Sequence, residues 1–210
     1  MVLLDAGHGG HDKEKYHCIA NGKKFRHGKD GYHYDSGIFY EGVWNRYQVE
    51  LIKNHLFLLN IPYVEISDSL LDLSLSSRVT KVNYYHRLFP KSFLISVHAN
   101  ASPSHNARGY EVYTSPGVTK SDQLATIHYN MTKEILGDKI RYRSDTWSDG
   151  DVDKEARFTM LTRTTCPAIL IEHLFFDNKD DVELLMNENI NQKFAQATAY
   201  TCKRFKEFFT

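Results

Sequence analysis

A chain of 210 residues with 41% hydrophobic, 13% aromatic and 25% charged side chains has the composition of one folded domain with a sizeable core, not of a disordered or fibrous protein. Lys plus Arg and Asp plus Glu both number 26, so no basic excess marks a nucleic-acid partner, and no apolar run nears the ~20 residues needed to insert in a membrane. Eleven histidines tilt the reading towards a metal or acid/base site, while Cys18, Cys166 and Cys202 form no CxxC and read as unpaired thiols.

Taken in chain order, Val2 to Leu4 is a buried strand that stops at Asp5 and runs into "DAGHGG". Residues 9–37 lack apolar periodicity and read as a long loop, of the kind that borders a site in a compact domain. From Glu41, Val43, Tyr47, Leu51, Ile52, Leu56 and Leu59 fall at helical spacing and stop before Ile61-Pro62. "PYVEI" follows as a strand, then a helix carrying Leu75, Val79, Val82 and Tyr85, then the strand "SFLISVHAN". "GYEVYTS" alternates and reads as an antiparallel or edge strand. A helix over Ser121 to Leu136, the buried strand "PAILIEH" and a helical C-terminal region from Asp180 complete the pattern. Strands alternating with helices predict an α/β domain: a mostly parallel sheet of about six strands with helices on both faces.

Ligands of such sheets gather beyond the carboxyl ends of the strands. Three strands end there at reactive residues: the first at Asp5 to His8, another at His98 and the last at Glu172. Glu41 opens the first helix. Two imidazoles and a carboxylate, His8, His98 and Glu41, make a donor set suited to zinc with a fourth position open, and Glu172 is left to act without binding the metal. Each has a plainer reading: His8 as part of a glycine turn, Glu41 at the positive end of its helix, His98 as a polar strand terminus. A carboxylate directly after "AILI" is harder to set aside, because at a buried strand end it needs a partner or a raised pKa. GxGxxG, GxxxxGK[ST] and HExxH are all absent, which argues against nucleotide folds and zincin-type peptidases.

"LLDAGHGG", "EGVWNRYQVELI", "SLSSRVTKVN", "FLISVHANAS", "GYEVYTS" and "CPAILIEHLFFDN" occur in the order found in the zinc-dependent N-acetylmuramoyl-L-alanine amidases of the AmiC/CwlV type, and the chain resembles that family over nearly its whole length. The resemblance implies a single domain over residues 1–210 around a twisted sheet, with one Zn2+ held by His8, Glu41 and His98. It makes Glu172 the catalytic glutamate and peptidoglycan the substrate, cleaved at the amide between the lactyl group of N-acetylmuramic acid and L-alanine. Two stretches depart from the family: "VEISDSLLDL" stands where Thr-Arg is common, a change expected to touch no ligand, and His173-Leu174-Phe175-Phe176 follows the glutamate. His173 is expected on the opposite sheet face from Glu172. The acidic, turn-rich stretch from Tyr142 to Glu155 reads as a solvated loop or a wall of the groove.

Gly7, Gly9 and Gly10 are expected to serve His8 through positive φ, Asp5 or Asn100 to orient the imidazoles, and His11 only to open the loop. A zinc peptidase or deacetylase acting on another amide, or a silent wall-binding module, are the competing functions. The absence of an opening signal sequence suits a monomeric phage or prophage lysin, made in the cytoplasm and acting at the cell wall, unless a leader has been trimmed.

Overall fold

The first strand, β1 (Val2–Ala6), is buried at every residue, which is what its apolar run at the start of the chain dictates. A computed structural model describes residues 1–28, 37–147 and 150–209. Along the chain follow β2 (Lys24–Arg26), β3 (Ile38–Tyr40), α1 (Glu41–Leu58), β4 (Tyr63–Glu65), α2 (Leu75–Leu88), β5 (Phe93–Asn100) and β6 (Glu111–Thr114). The rest comprises α3 (Lys120–Leu136), β7 (Lys154–Glu155), α4 (Thr159–Thr162), β8 (Ala168–Phe175), α5 (Lys179–Leu185) and α6 (Glu188–Lys206). No helix among the described residues is long and apolar enough to cross a membrane.

Six strands pair in the order β4-β1-β5-β8-β6-β7, as the alternating pattern predicts. β4, β1, β5 and β8 run parallel, β6 is antiparallel to β8, and the two-residue β7 pairs with β6 in parallel. The strand over "GYEVYTS" is therefore antiparallel, and β7 covers what would have been an edge. β5 ends at Asn100, where the stretch "SFLISVHAN" places it, whereas β1 to Ala6 and β8 to Phe175 outrun their expected ends because backbone pairing continues past the last apolar residue. The C-terminal region is two helices, with Asn187 capping the second through a bond from the Ile190 amide.

Strand alternation sorts the side chains onto two faces. Val2, Leu4, Ile95, Val97, Ile169 and Ile171 meet residues of α1, α3 and α6, whereas Leu3, Leu94 and Leu170 meet Val82 of α2 and Met160 and Leu161 of α4. The second face is covered by fewer core residues, and at its carboxyl end His98 and Glu172 keep partial exposure. Asp5, Ser96, His98, Glu111 and Glu172 share that face by parity with Leu3, Leu94 and Leu170. Within the loop expected over 9–37, β2 pairs antiparallel with β3 just beyond it, a pairing that sequence periodicity does not reveal. Residues 29–36 of that loop lie outside the described residues.

His173 lies on the better-covered face, fully buried against Trp44 and Phe194, with Nδ1 donating to the His98 carbonyl. His128 of α3 is equally buried between the Tyr110 hydroxyl and Thr198 Oγ1. Burial pushes both imidazoles down to about 3, so both are neutral in the fold. The unfolded chain binds protons on them below pH ~6.5, so this contribution is full above that pH and is lost as pH falls towards the folded values. With metal chelated throughout, lowering the pH from 7 to 5 should cost the wild type more of its urea midpoint than it costs His128→Gln; an identical pH dependence in the variant would contradict this assignment.

Candidate active site

The turn after β1 carries the first site residue. The ladder to β5 continues one step, Gly7 N donating to Val97 O at 3.0 Å, and then His8 takes φ 63°. A non-glycine residue in this region is uncommon and needs support. It has that support from three side chains that capture successive carbonyls. Arg78 Nη1 donates to Ala6 O at 2.7 Å, Asn45 Nδ2 to Gly7 O at 3.0 Å, and Arg46 Nη1 and Arg78 Nη2 to His8 O at 2.7 and 3.0 Å.

The glycines act differently from expectation, since none of Gly7, Gly9 and Gly10 has a positive φ. They supply room. A Cβ on Gly7 would overlap the imidazole of His98, and one on Gly9 would overlap the His17 carbonyl. Gly42 repeats the device from the helix side, where a Cβ would strike the Gly9 carbonyl.

Those close approaches bring His8, Glu41 and His98 together. His8 Nε2 lies 3.3 Å and His98 Nδ1 3.0 Å from the same oxygen, Glu41 Oε1, and the two rings meet edge to face. Glu41 is the first residue of α1 and is fully buried; Tyr16 stands in for a side-chain cap, its hydroxyl accepting from Gly42 N and donating to Lys23 O. Burial alone would raise the Glu41 pKa, but His8, His98 and Lys23 outweigh it and hold the carboxyl well below the usual range. For His8 burial works downward, and the Glu41 carboxylate overcomes it to raise the imidazole. Glu172 pairs in register with His98 across β5 and β8. Burial, with Glu41 adding to it against Lys23, lifts its pKa well above the usual carboxylate range. The residue is partly open along the strand, yet its Oε2 is shut from solvent without a hydrogen-bond partner, as is His8 Nε2. Such orphaned atoms need a bound ion or water to satisfy them.

A family described as N-acetylmuramoyl-L-alanine amidase matches residues 2–203. The chain belongs to that family. It is 28% identical over 206 residues to an endolysin of Bacillus phage SPP1, an alignment covering 95% of this chain and 63% of that protein. The chain thus spans less than two thirds of the relative's length. In the fold it matches the N-acetylmuramoyl-L-alanine amidase of Clostridium difficile 630 (TM-score 0.72, 23% identity, 98% of this chain and 96% of that one). It also matches the amidase AmiC2 of Nostoc punctiforme (TM-score 0.73, 20% identity, 98% and 96% covered). At these identities the likeness to the solved structures is one of fold.

Beyond its expected ligands, this amidase-family site holds residues that sequence reading missed. Lys23, from the loop, places Nζ 3.1 Å from Glu41 Oε2, a charge contact that leaves Oε1 to the imidazoles. Cys18 and Asp72 come within 4.8 Å of a His8 nitrogen and of each other, a second donor group sharing that histidine. The departing stretch "VEISDSLLDL" therefore borders a ligand after all. Neither Asp5 nor Asn100 orients an imidazole: Asp5 binds Arg78 and Ser96, and Asn100 donates to Glu111. His11 packs against Tyr16 and Tyr40. The stretch 142–155, described except for residues 148–149, is tied down near both ends where Arg143 and Lys154 meet Glu111.

Gly7→Ala tests the close approach directly. Because the methyl group displaces His98, metal affinity should fall about 10- to 100-fold, the range seen when support of a ligand is lost. Isothermal titration of the metal-free protein reads it, and unchanged affinity would show that His98 is not needed at this spacing.

Proposed function

We propose that residues 1–210 form one catalytic domain, a zinc-dependent N-acetylmuramoyl-L-alanine amidase that hydrolyses peptidoglycan, with His8, Glu41 and His98 as metal ligands and Glu172 as general base and acid. The observation that carries this reading is the convergence of His8 Nε2 and His98 Nδ1 on one oxygen of a fully buried carboxylate. Two neutral nitrogens and one anionic oxygen suit a single Zn2+ in a three-ligand site of the catalytic kind. The group of His8, Cys18 and Asp72 is the weaker claimant, because Asp72 already uses Oδ1 on Arg78 and Oδ2 on the Ile19 amide.

Zinc bound there supplies a Lewis acid that acidifies water and polarises a carbonyl. The remaining work falls to the chain. Glu172, whose pKa burial and the nearby Glu41 carboxylate raise above the usual carboxylate range, takes a proton from the attacking water and returns it to the departing amine of L-alanine. Beside the ligands, a cavity of about 330 Å3 walled by Ile19, Leu73, Leu75 and Met160 gives the acyl side an apolar surface. His8, Glu41, His98 and Glu172 meet without a residue from a second copy, and action as a monomer is part of this proposal. Similarity to a phage endolysin supports a lysin made in the cytoplasm and acting at the cell wall. Family membership favours this amide over that of a zinc peptidase or deacetylase, and the half-buried Glu172 beside the ligands, its Oε2 without a partner, favours an enzyme over a silent wall-binding module.

Glu172→Ala should lower the release of free L-alanine amino groups from purified peptidoglycan by about 100-fold or more while keeping a full equivalent of zinc. His8→Ala and His98→Ala should lose the metal. Near-normal hydrolysis by Glu172→Ala, or full zinc in either histidine variant, would overturn the assignment.

A further inference from the structure

The carboxyl end of the sheet carries a row of charged groups that runs past Glu172. Across adjacent strands, His98 of β5 pairs with Glu172 of β8, Glu172 pairs with Glu111 of β6, and Tyr113, two residues further along β6, pairs with Lys154 of β7. These side chains share one face. Glu111 is buried and fully engaged: Oε1 accepts from Asn100 Nδ2 at 2.6 Å, and Oε2 accepts from Arg143 Nε at 2.9 Å and from Lys154 Nζ. Two cations therefore stand on one carboxylate. Each keeps donors to spare, since a guanidinium has five and an ammonium three. The Arg143 side chain is 40% exposed, with its guanidinium over the Phe175 ring, and Lys154 rests over Tyr113. Asp153 turns to Thr114 Oγ1, and Glu155 to the Gly117 amide, so the bonds given for these two acids take no donor from Arg143 or Lys154.

Direction follows from the chemistry assigned to Glu172. The group it must protonate is the leaving amine, so the acyl half of the substrate lies over His8 and His98, and the peptide leaves over β8 and β6. Neighbouring strands are about 4.8 Å apart, and successive peptide Cα atoms about 3.8 Å. One residue beyond L-alanine the stem is thus over Glu111 and its two cations. We infer that Arg143 and Lys154, positioned by Glu111, form a subsite for a carboxylate carried by the second residue of the stem peptide. They set specificity for a free acid over an amidated stem, and the inference rests on the amidase reading above.

The test compares two muramoyl dipeptides that differ only in whether the carboxyl group one residue beyond L-alanine is free or amidated. The wild-type protein should prefer the free acid by about tenfold in kcat/KM, expressed through KM with kcat little changed, the scale of one charge-assisted hydrogen bond. In Arg143→Met/Lys154→Met that preference should vanish with zinc content intact, and Arg143→Lys should retain part of it. Equal kcat/KM for the two dipeptides in the wild type, or a preference that survives the double substitution, would overturn the subsite alone. Failure of zinc-loaded wild type to cleave either dipeptide, or peptidoglycan, would overturn the amidase reading and the subsite with it.

Discussion

The buried pair of Asp5 and Arg78 is the constraint on which the site depends. Arg78 Nη1 meets Asp5 Oδ1 at 2.6 Å with both side chains almost wholly buried, and the same guanidinium reaches the carbonyls of Ala6 and His8. Removing one partner of such a pair leaves an uncompensated charge in the interior and costs about 3–5 kcal/mol. Here the pair does more than close a charge balance. It fixes the backbone at the end of β1 in the left-handed turn that aims His8 at Glu41. Ser96 Oγ, donating to Asp5 Oδ2 at 2.8 Å, ties the same carboxylate to β5, two residues before His98. One polar cluster therefore sets both histidine-bearing segments.

Electrostatics then couple the groups that this cluster assembles. Glu41 is charged and buried, two imidazoles crowd its Oε1, and Lys23 approaches its Oε2 from the loop. Glu172 is placed where the field of Glu41 and its own burial favour the proton-bearing form. A divalent ion on the three donors would be nearest to Glu41 and would ease the loss of that proton, matching the ion to the base. Past Glu172, Arg143 and Lys154 both pair with Glu111.

Much of this was legible in the sequence because period and position carried it. Apolar runs ending in Asp5, His98 and Glu172 announced three strands of a parallel sheet, and a helix opening on Glu41 announced the fourth group. The sheet parity that separates Glu172 from His173 also followed from alternation alone. What escaped notice depends on contacts between distant segments. Arg78 occupies an ordinary polar position in a helix, and nothing local says that it turns inward. Lys23, Cys18 and β2 lie in a stretch without periodicity, where position is set by what the loop packs against. The glycines were noticed for a different property: they allow backbone and ring to touch, and the unusual φ belongs to His8 itself.

X-ray absorption at the zinc edge of the reconstituted protein tests the central claim most directly, since two donor groups share His8 and only one contains sulfur. With His8, Glu41 and His98 as ligands, the expected first shell is nitrogen and oxygen alone, at about 2.0–2.2 Å, with two imidazoles contributing. A sulfur scatterer at about 2.3 Å would place the ion on Cys18 and contradict the ligand set of His8, Glu41 and His98.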